Sequence, residues 1–171
     1  SMPIRKKISP LIIVILILIT GAFLLYHWGI LQFNHPDAET YPVQGVDVST
    51  YQGAIDWPAV AADGVDFAIV RAGNRGYTEG ALYADERFAE NVDGAKAAGL
   101  ATGVYFFSQA VTPDEAREEA DFVLELLAGR PLDLPVAFDH EPVSDNAGRA
   151  NHLTGPELAA CARAFCERIQ G

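Results

Sequence analysis

The stretch GVYFFSQAVTPDEAREEADFVLELLAG, residues 103–129, reads as one strand followed by one helix. Gly103-Val104-Tyr105-Phe106-Phe107 is a short, β-rich and almost wholly apolar run. Thr112-Pro113-Asp114-Glu115 then carries the marks of a helix start: a Thr N-cap, Pro at the first helical position and Glu three residues after the cap. Ala116, Ala120, Val123, Leu124 and Leu127 follow at helical spacing, and Gly129 is the expected stop. A strand this apolar wants cover on both faces, which is the setting of a parallel sheet.

The same unit recurs on either side. Gly45–Ser49 reads as a strand, followed by a short helix over Trp57–Ala62 with Asp56 as N-cap and Pro58 in its first turn. Phe67–Arg71 is a second strand, and Asp85–Ala98 a helix with Phe88, Val92, Ala95 and Ala98 on one face and Gly99 as its stop. Pro135–Asp139 is a fourth strand. A last helix opens on Thr154-Gly155-Pro156-Glu157, a second capping box, with Leu158, Ala162, Phe165 and Ile169 as its buried stripe. Strand and helix thus alternate four times, which fits an open doubly wound sheet or a (β/α) barrel. The loop after the first strand, Asp47-Val48-Ser49-Thr50-Tyr51-Gln52-Gly53, lacks the glycine fingerprint of dinucleotide binding, so the barrel is the expected closure. A barrel has eight strands and about 250 residues, and only its first four β/α units are read here; the natural protein is expected to be longer.

Ahead of this α/β sequence stands a different composition. Leu11 to Leu31 is almost unbroken apolar sequence without a formal charge, long enough for the roughly 20 residues that cross a bilayer. It exceeds the apolar region of a cleavable signal peptide, about 7–15 residues, and Tyr26, His27 and Trp28 occupy positions where small residues would be wanted for cleavage. Tyr26 and Trp28 suit the interfacial aromatic belt, and Arg5, Lys6 and Lys7 favour a cytoplasmic tip. The expected organisation is a basic cytoplasmic tip over 1–10, a transmembrane signal anchor over 11–33, a linker over 34–42 and an extracytoplasmic domain over 43–171. Secretion after signal cleavage is the alternative.

Every acidic residue lies from Asp37 onward. With Arg5, Lys6 and Lys7 set apart from the 12 Lys and Arg, nine basic residues face 23 acidic ones, a net charge of −14 on the globular part. Nucleic acid is excluded as a partner, because binding phosphates takes clustered Lys and Arg. Cys161 and Cys166 point about 140° apart on a helix, a poor geometry for a bond, and both are expected to serve as buried small hydrophobes. No metal-ligand spacing is present. Asp114, Glu115, Glu118 and Glu119 read as an acidic helix start that suits the dipole.

In a (β/α) barrel the chemistry gathers at the carboxyl ends of the strands. Those ends carry Asp47 and Ser49, Arg71, Tyr105, and Asp139 with Glu141. Alternation along a strand turns Asp139 and Glu141 to one side and His140 to the other. Two like charges that close raise the pKa of one of them. A carboxyl still protonated near neutral pH can give its proton to a glycosidic oxygen, while its ionised neighbour stabilises positive charge or orients a reacting group. Tyr51 and Phe107, near strand ends, are candidate sugar platforms. Arg71 is a candidate substrate ligand or the partner of a nearby carboxylate, and Trp57 a packing residue.

Taken together, Gly45-Val46-Asp47-Val48-Ser49 with Gln52-Gly53, Asp66–Ala72, Gly99-Leu100 with Gly103-Val104-Tyr105-Phe106, and Pro135–Glu141 resemble glycoside hydrolase family 25, the lysozymes of the N-acetylmuramidase type. The resemblance runs in unbroken order from Val43 to Gly171. It implies an irregular (β/α)5(β)3 barrel that cleaves the β-1,4 bond from N-acetylmuramic acid to N-acetylglucosamine in peptidoglycan, with neither metal nor cofactor. By motif, Glu141 is similar to the family's general acid and Asp139 to its partner. Asp47 matches the first-strand carboxylate, and Tyr105 a site tyrosine. The family also places an aspartate on a late strand, which this chain does not reach, so residues 1–171 alone are expected not to clear cell walls. The expected partner is the peptidoglycan glycan strand, the expected state a monomer. A wall-binding protein on a degenerate barrel, or another substrate-assisted glycosidase such as a chitinase, are the rival functions.

Overall fold

The computed structural model of the chain describes residues 10–27, 39–144 and 148–171. The chain divides into two compact units, Ser1–Pro42 and Val43–Gly171.

In the first unit, helix α1 spans Pro10–His27. Its apolar side chains from Val14 to Ile19, with Phe23, Leu24 and Leu25, are exposed. The rings of Phe23 and His27, one turn apart, stack with centroids 6.0 Å apart. The span expected to cross the membrane, 11–33, continues past α1 over residues 28–33, which lie outside the described residues together with 34–38 of the linker and the first nine residues of the tip. Among the described residues no helix is long and apolar enough to cross a membrane.

The second unit is an α/β fold. Its strands are β1 (Gly45–Val48), β2 (Phe67–Arg75), β3 (Leu82–Ala84), β4 (Ala101–Phe107) and β5 (Val136–Asp139). Its helices are α2 (Trp57–Ala62), α3 (Phe88–Ala97), α4 (Pro113–Leu127) and α5 (Gly155–Gln170), with a 3-10 turn at Thr50–Gln52. The parallel strands lie in sequential order, β1-β2-β4-β5. Val48, Ala68, Val70, Ala72, Val104 and Phe106 alternate onto one face, where they meet Phe88, Val92, Ala95, Ala116, Ala120, Val123 and Phe165 in a single core. Each of the valines and phenylalanines among them contributes about 1.5–3 kcal/mol by leaving water, the alanines less. One core means that the helices cover one face only. A doubly wound sheet reverses its order and carries helices on both faces, so its pattern is absent from the described residues.

The opposite face corrects the expectation of cover on both sides. Asp47, Ala137 and Glu141 are exposed there, and Ile69, Arg71, Tyr105, Phe107 and Asp139 are only half-buried. Alternation sends the polar strand-end residues Asp47, Arg71, Tyr105 and Asp139 to the face the helices do not cover.

Sequence signals located most elements but missed β3. β2 runs four residues further than its apolar stretch, and its last residues pair with β3 in antiparallel fashion, Gly73 opposite Ala84 and Arg75 opposite Leu82. β3 thereby occupies the edge that β1 leaves after Val48. A Cβ on Gly73 would overlap the carbonyl oxygen of Tyr83, so the close approach requires glycine there. The β2–β4 register shifts at the same point, between Arg71 and Gly73. α3 starts three residues later than expected, because Asp85 is engaged elsewhere.

Two further expectations fail in α4 and α5. Thr112 caps α4 by accepting from the Glu115 N–H at 3.2 Å, but Glu115 does not complete a box. Its carboxylate accepts instead from Val111 N–H and from both terminal nitrogens of Arg149, at 2.8 Å each; a cation outcompetes the cap. In α5 Glu157 does reach back to the Thr154 N–H and hydroxyl, at 2.8 and 2.7 Å. Cys161 is buried but Cys166 is exposed, and both are free. α5 turns Cys161, Ala164 and Phe165 inward, and that rotation leaves Cys166 outside.

Candidate active site

The site is built on the uncovered face, at the carboxyl ends of β1, β2, β4 and β5. After β1 the chain turns sharply. The buried Ser49 hydroxyl accepts from Tyr51 N–H at 3.3 Å, and Gln52 Oε1 accepts from the Ser49 N–H at 2.7 Å. This tight 3-10 turn throws the Tyr51 side chain outward, 82% exposed. Asp85, whose side chain is fully buried, fixes the turn to β2. One of its carboxylate oxygens accepts from the Thr50 N–H at 2.9 Å and from Arg71 Nε and Nη2 at 3.1 and 3.0 Å. The guanidinium held in this way lies over the Tyr51 ring, 5.0 Å from its centroid, a cation–π distance.

Strand register carries the row onward. Arg71 pairs with Tyr105, Tyr105 with Ala137, and Phe107 with Asp139. Burial raises the Tyr105 phenol above its ordinary pKa; Arg71 opposes the shift, while Asp47, Asp139 and Asp85 add to it. The phenol therefore senses Arg71, Asp47, Asp139 and Asp85 together. Asp139 ends β5, and its carbonyl accepts from Ser108 N–H at 2.7 Å. Its carboxyl is raised too, by burial first and then by the charge of Glu141; His140 pulls the other way and Asp47 adds a further rise. Glu141 is exposed, and its main-chain carbonyl accepts from Gln109 Nε2 at 3.1 Å. Beside these carboxylates opens a groove of about 350 Å³, lined by Tyr51, Arg71, Asn74, Tyr77, Phe107, Pro142 and Val143.

The residues singled out from the sequence thus fall in one region. Asp47, Arg71, Tyr105, Phe107 and Asp139 share the open face, Glu141 follows two residues past the last strand, and Tyr51 flanks the groove with Arg71 and Phe107. His140 is half-buried, with Nδ1 unpaired among the described residues. Trp57 packs at 5% exposure. Sequence reasoning missed Asp85, which it read as the start of a helix, and the groove residues Asn74 and Tyr77 in the β2–β3 hairpin. It also missed the layer beneath, where Glu119 and Gln109 are fully buried. An acidic residue at an a-type helical position, Glu119 between Ala116, Ala120 and Val123, was the available signal for one of them. Among the described residues no group of three or more His, Cys, Asp and Glu is placed to hold a metal.

Chemically, the arrangement offers a carboxyl of raised pKa beside a solvent-facing one, and next to them an aromatic groove with one anchored arginine. Carboxylate pairs of this kind serve acid–base chemistry at a glycosidic bond, and aromatic walls with a few fixed polar groups suit a sugar. The raised Asp139 has a consequence for stability. A carboxyl whose folded pKa lies above its unfolded value binds more protons when folded, so stability falls as pH rises through the folded pKa. Asp139→Asn removes that loss. The variant's melting temperature is expected to gain on the wild type as pH rises above the ordinary aspartate range of about 4, and parallel curves there would contradict the electrostatics described.

Comparison with known proteins identifies the family. The family model described as Glycosyl hydrolases family 25 matches residues 46–171. The autolytic lysozyme of Clostridium acetobutylicum is 34% identical over 128 residues, covering 70% of this chain and 37% of that protein. Lysozyme M1 of Streptomyces globisporus is 43% identical over 72 residues, 42% of this chain and 23% of that protein. The chain thus spans well under half the length of either relative. Among solved structures, the bacterial lysozyme from Streptomyces coelicolor superposes with a TM-score of 0.59 at 29% identity, over 75% of this chain and 57% of that one. On the family match, which covers nearly all of the α/β unit, the chain belongs to the glycosyl hydrolases of family 25.

Proposed function

We propose that the protein is a muramidase, hydrolysing the β-1,4 bond between N-acetylmuramic acid and N-acetylglucosamine in peptidoglycan. The observation that carries the reading is the Asp139–Glu141 pair at the end of β5, with Asp47 within electrostatic reach and an aromatic groove alongside. Glu141 is the general acid. It stands exposed just past the end of β5, open to a glycan seated there, and protonating the leaving oxygen is the work of a general acid. Its proton goes to the leaving O4 as the C1–O4 bond breaks, water supplies the hydroxyl that ends on C1, and the water's remaining proton restores the Glu141 carboxyl. Asp139 and Asp47 face the positive charge that develops on the sugar ring. Tyr51, Arg71, Tyr105 and Phe107 hold the strand. The sequential strand order and single helical layer support closure as a (β/α)5(β)3 barrel, with the open face as its interior mouth.

The raised carboxyl of Asp139 favours a second reading, in which Asp139 donates the proton and Glu141 stays ionised. An aryl glycoside with an activated leaving group separates the two, since such a group departs without protonation. The variant that lacks the acid loses wall cleavage but keeps aryl-glycoside cleavage, whereas the variant that lacks the stabilising carboxylate loses both. Glu141→Gln is expected to behave as the first and Asp139→Asn as the second.

Residues 11–33 are proposed to anchor the protein in the cell membrane, with the tip over 1–10 in the cytoplasm and the domain from Val43 outside. The uncharged apolar run, the basic tip and the aromatic Tyr26 and Trp28 support this. Membranes washed with alkaline carbonate should retain the protein; its release into the wash would count against an anchor.

A further inference from the structure

We propose that Gln109 is the positioning residue of Glu141: its buried side-chain amide donates to the Glu141 main-chain carbonyl and sets where that carboxylate stands beside the groove. The inference takes from the muramidase reading only its kinetic consequence.

β5 ends at Asp139, so Glu141 lies beyond the support of the sheet. Its side chain is exposed, and the hydrogen bond described for its backbone is the one from Gln109 Nε2, at 3.1 Å. Two residues closer in, the bond from Ser108 N–H to the Asp139 carbonyl, 2.7 Å, holds the strand end itself. Only a donor suits a carbonyl oxygen, so the amide orientation follows from the acceptor. Gln109 is 0% exposed, and its Oε1 has no partner among the described residues. A buried, half-used amide is costly where an apolar side chain would fit. The donor is what justifies keeping it.

Gln109 itself is held firmly, which gives the contact its direction. Arg149 Nη1 donates to the Gln109 carbonyl at 3.2 Å while the same guanidinium grips Glu115 through two bonds of 2.8 Å. On its other side the Ser108 hydroxyl donates to Glu119 at 2.6 Å and accepts from Ala110 N–H at 3.2 Å. The fixed partner is thus Gln109, and the segment it restrains is the one that carries Glu141. Without that restraint, the like charge of Asp139 beside it favours Glu141 moving outward.

Gln109→Leu removes the donor and keeps the bulk. The full protein is expected to keep its melting temperature nearly unchanged, while kcat on cell walls falls about ten- to hundredfold at unchanged KM, as for a reacting group displaced by a fraction of an ångström to one ångström. A second readout needs no activity. With 13C-labelled aspartate, NMR follows the titration of Asp139, whose surroundings are Glu141 and His140 on its own segment, Asp47 on β1 and Tyr105 on β4. Loss of the clamp carries the Glu141 charge away, so Asp139 titrates closer to its ordinary value, and the leucine change has no such effect when Glu141 is already Gln. An Asp139 titration unaltered by Gln109→Leu overturns the proposal, whatever the kinetics. If the wild type cleaves no wall, the muramidase reading fails while the titration still decides this one. Should the leucine variant not fold, Gln109→Asn, which withdraws the amide by one methylene, bears the same expectation.

Discussion

Glu141→Gln is expected to lower kcat on peptidoglycan by about 10²–10⁴-fold, the range for loss of a general acid, with KM changed little. Gln keeps the shape and the polarity of the side chain, so groove and fold stay as they are. What disappears is the transferable proton. Because the proposed binding residues Tyr51, Arg71 and Phe107 act independently of that proton, affinity for the glycan is expected to persist and the loss to fall on the chemical step. A comparable loss in KM would mean that Glu141 binds the substrate without reacting on it, and an unchanged kcat would remove it from the mechanism. Asp139→Asn should also depress kcat, since Asp139 and Glu141 act as a unit and their effects do not add.

The second large effect lies under the site. Arg75 Nε meets Glu119 Oε1 at 2.8 Å, with both side chains nearly inaccessible. The guanidinium also donates to the carbonyls of Gly80 and Glu115, at 2.7 and 2.9 Å, and to Glu118 at 3.2 Å. Burial pushes the Glu119 carboxyl up, against the pull of Ser108 and Arg75. Arg75→Met leaves Glu119 buried without its countercharge, which costs about 3–5 kcal/mol. For a unit of this size the melting temperature should drop by roughly 10 °C or more. Replacing both partners, Arg75→Met with Glu119→Leu, removes the stranded charge and should recover much of the loss, because apolar replacement of a whole buried pair is often neutral. Additive single losses in a denaturation cycle would show that the two side chains do not act on each other. Glu119 also holds Ser108, next to Gln109, so the single change is expected to loosen the floor of the site before it unfolds the domain.

Much of this architecture was legible in the sequence, for identifiable reasons. α2 begins at Trp57 after the Asp56 cap, and α4 at Pro113 after Thr112, because capping residues and proline act locally. β2, β4 and β5 stand where apolar runs stand. The row Asp47, Arg71, Tyr105 and Asp139 followed from the period of two along a strand together with the rule that α/β sites gather at strand ends. What stayed hidden depends on partners distant in the chain. β3 is a strand only because β2 offers a free edge beyond β1, and Leu82-Tyr83-Ala84 is too short to announce itself. Asp85 looked like a helix start until Arg71 and the Thr50 N–H claimed it. Glu119 fitted the acidic first turns of a helix, yet Arg75, 44 residues earlier, draws it into the core. Glu115 left its capping box for Arg149 in the same way. Ion pairs across the fold outbid local propensity, and no window of sequence contains both partners.

The measurement that bears most directly on the central claim is end-group analysis of digested peptidoglycan. Walls treated with the protein expressed from its complete coding sequence are reduced with borohydride, hydrolysed, and assayed for sugar alcohols. Cleavage on the reducing side of N-acetylmuramic acid predicts that muramitol accumulates with digestion and that Glu141→Gln abolishes the gain. Accumulation of glucosaminitol instead, or a muramitol yield untouched by Glu141→Gln, would contradict the account.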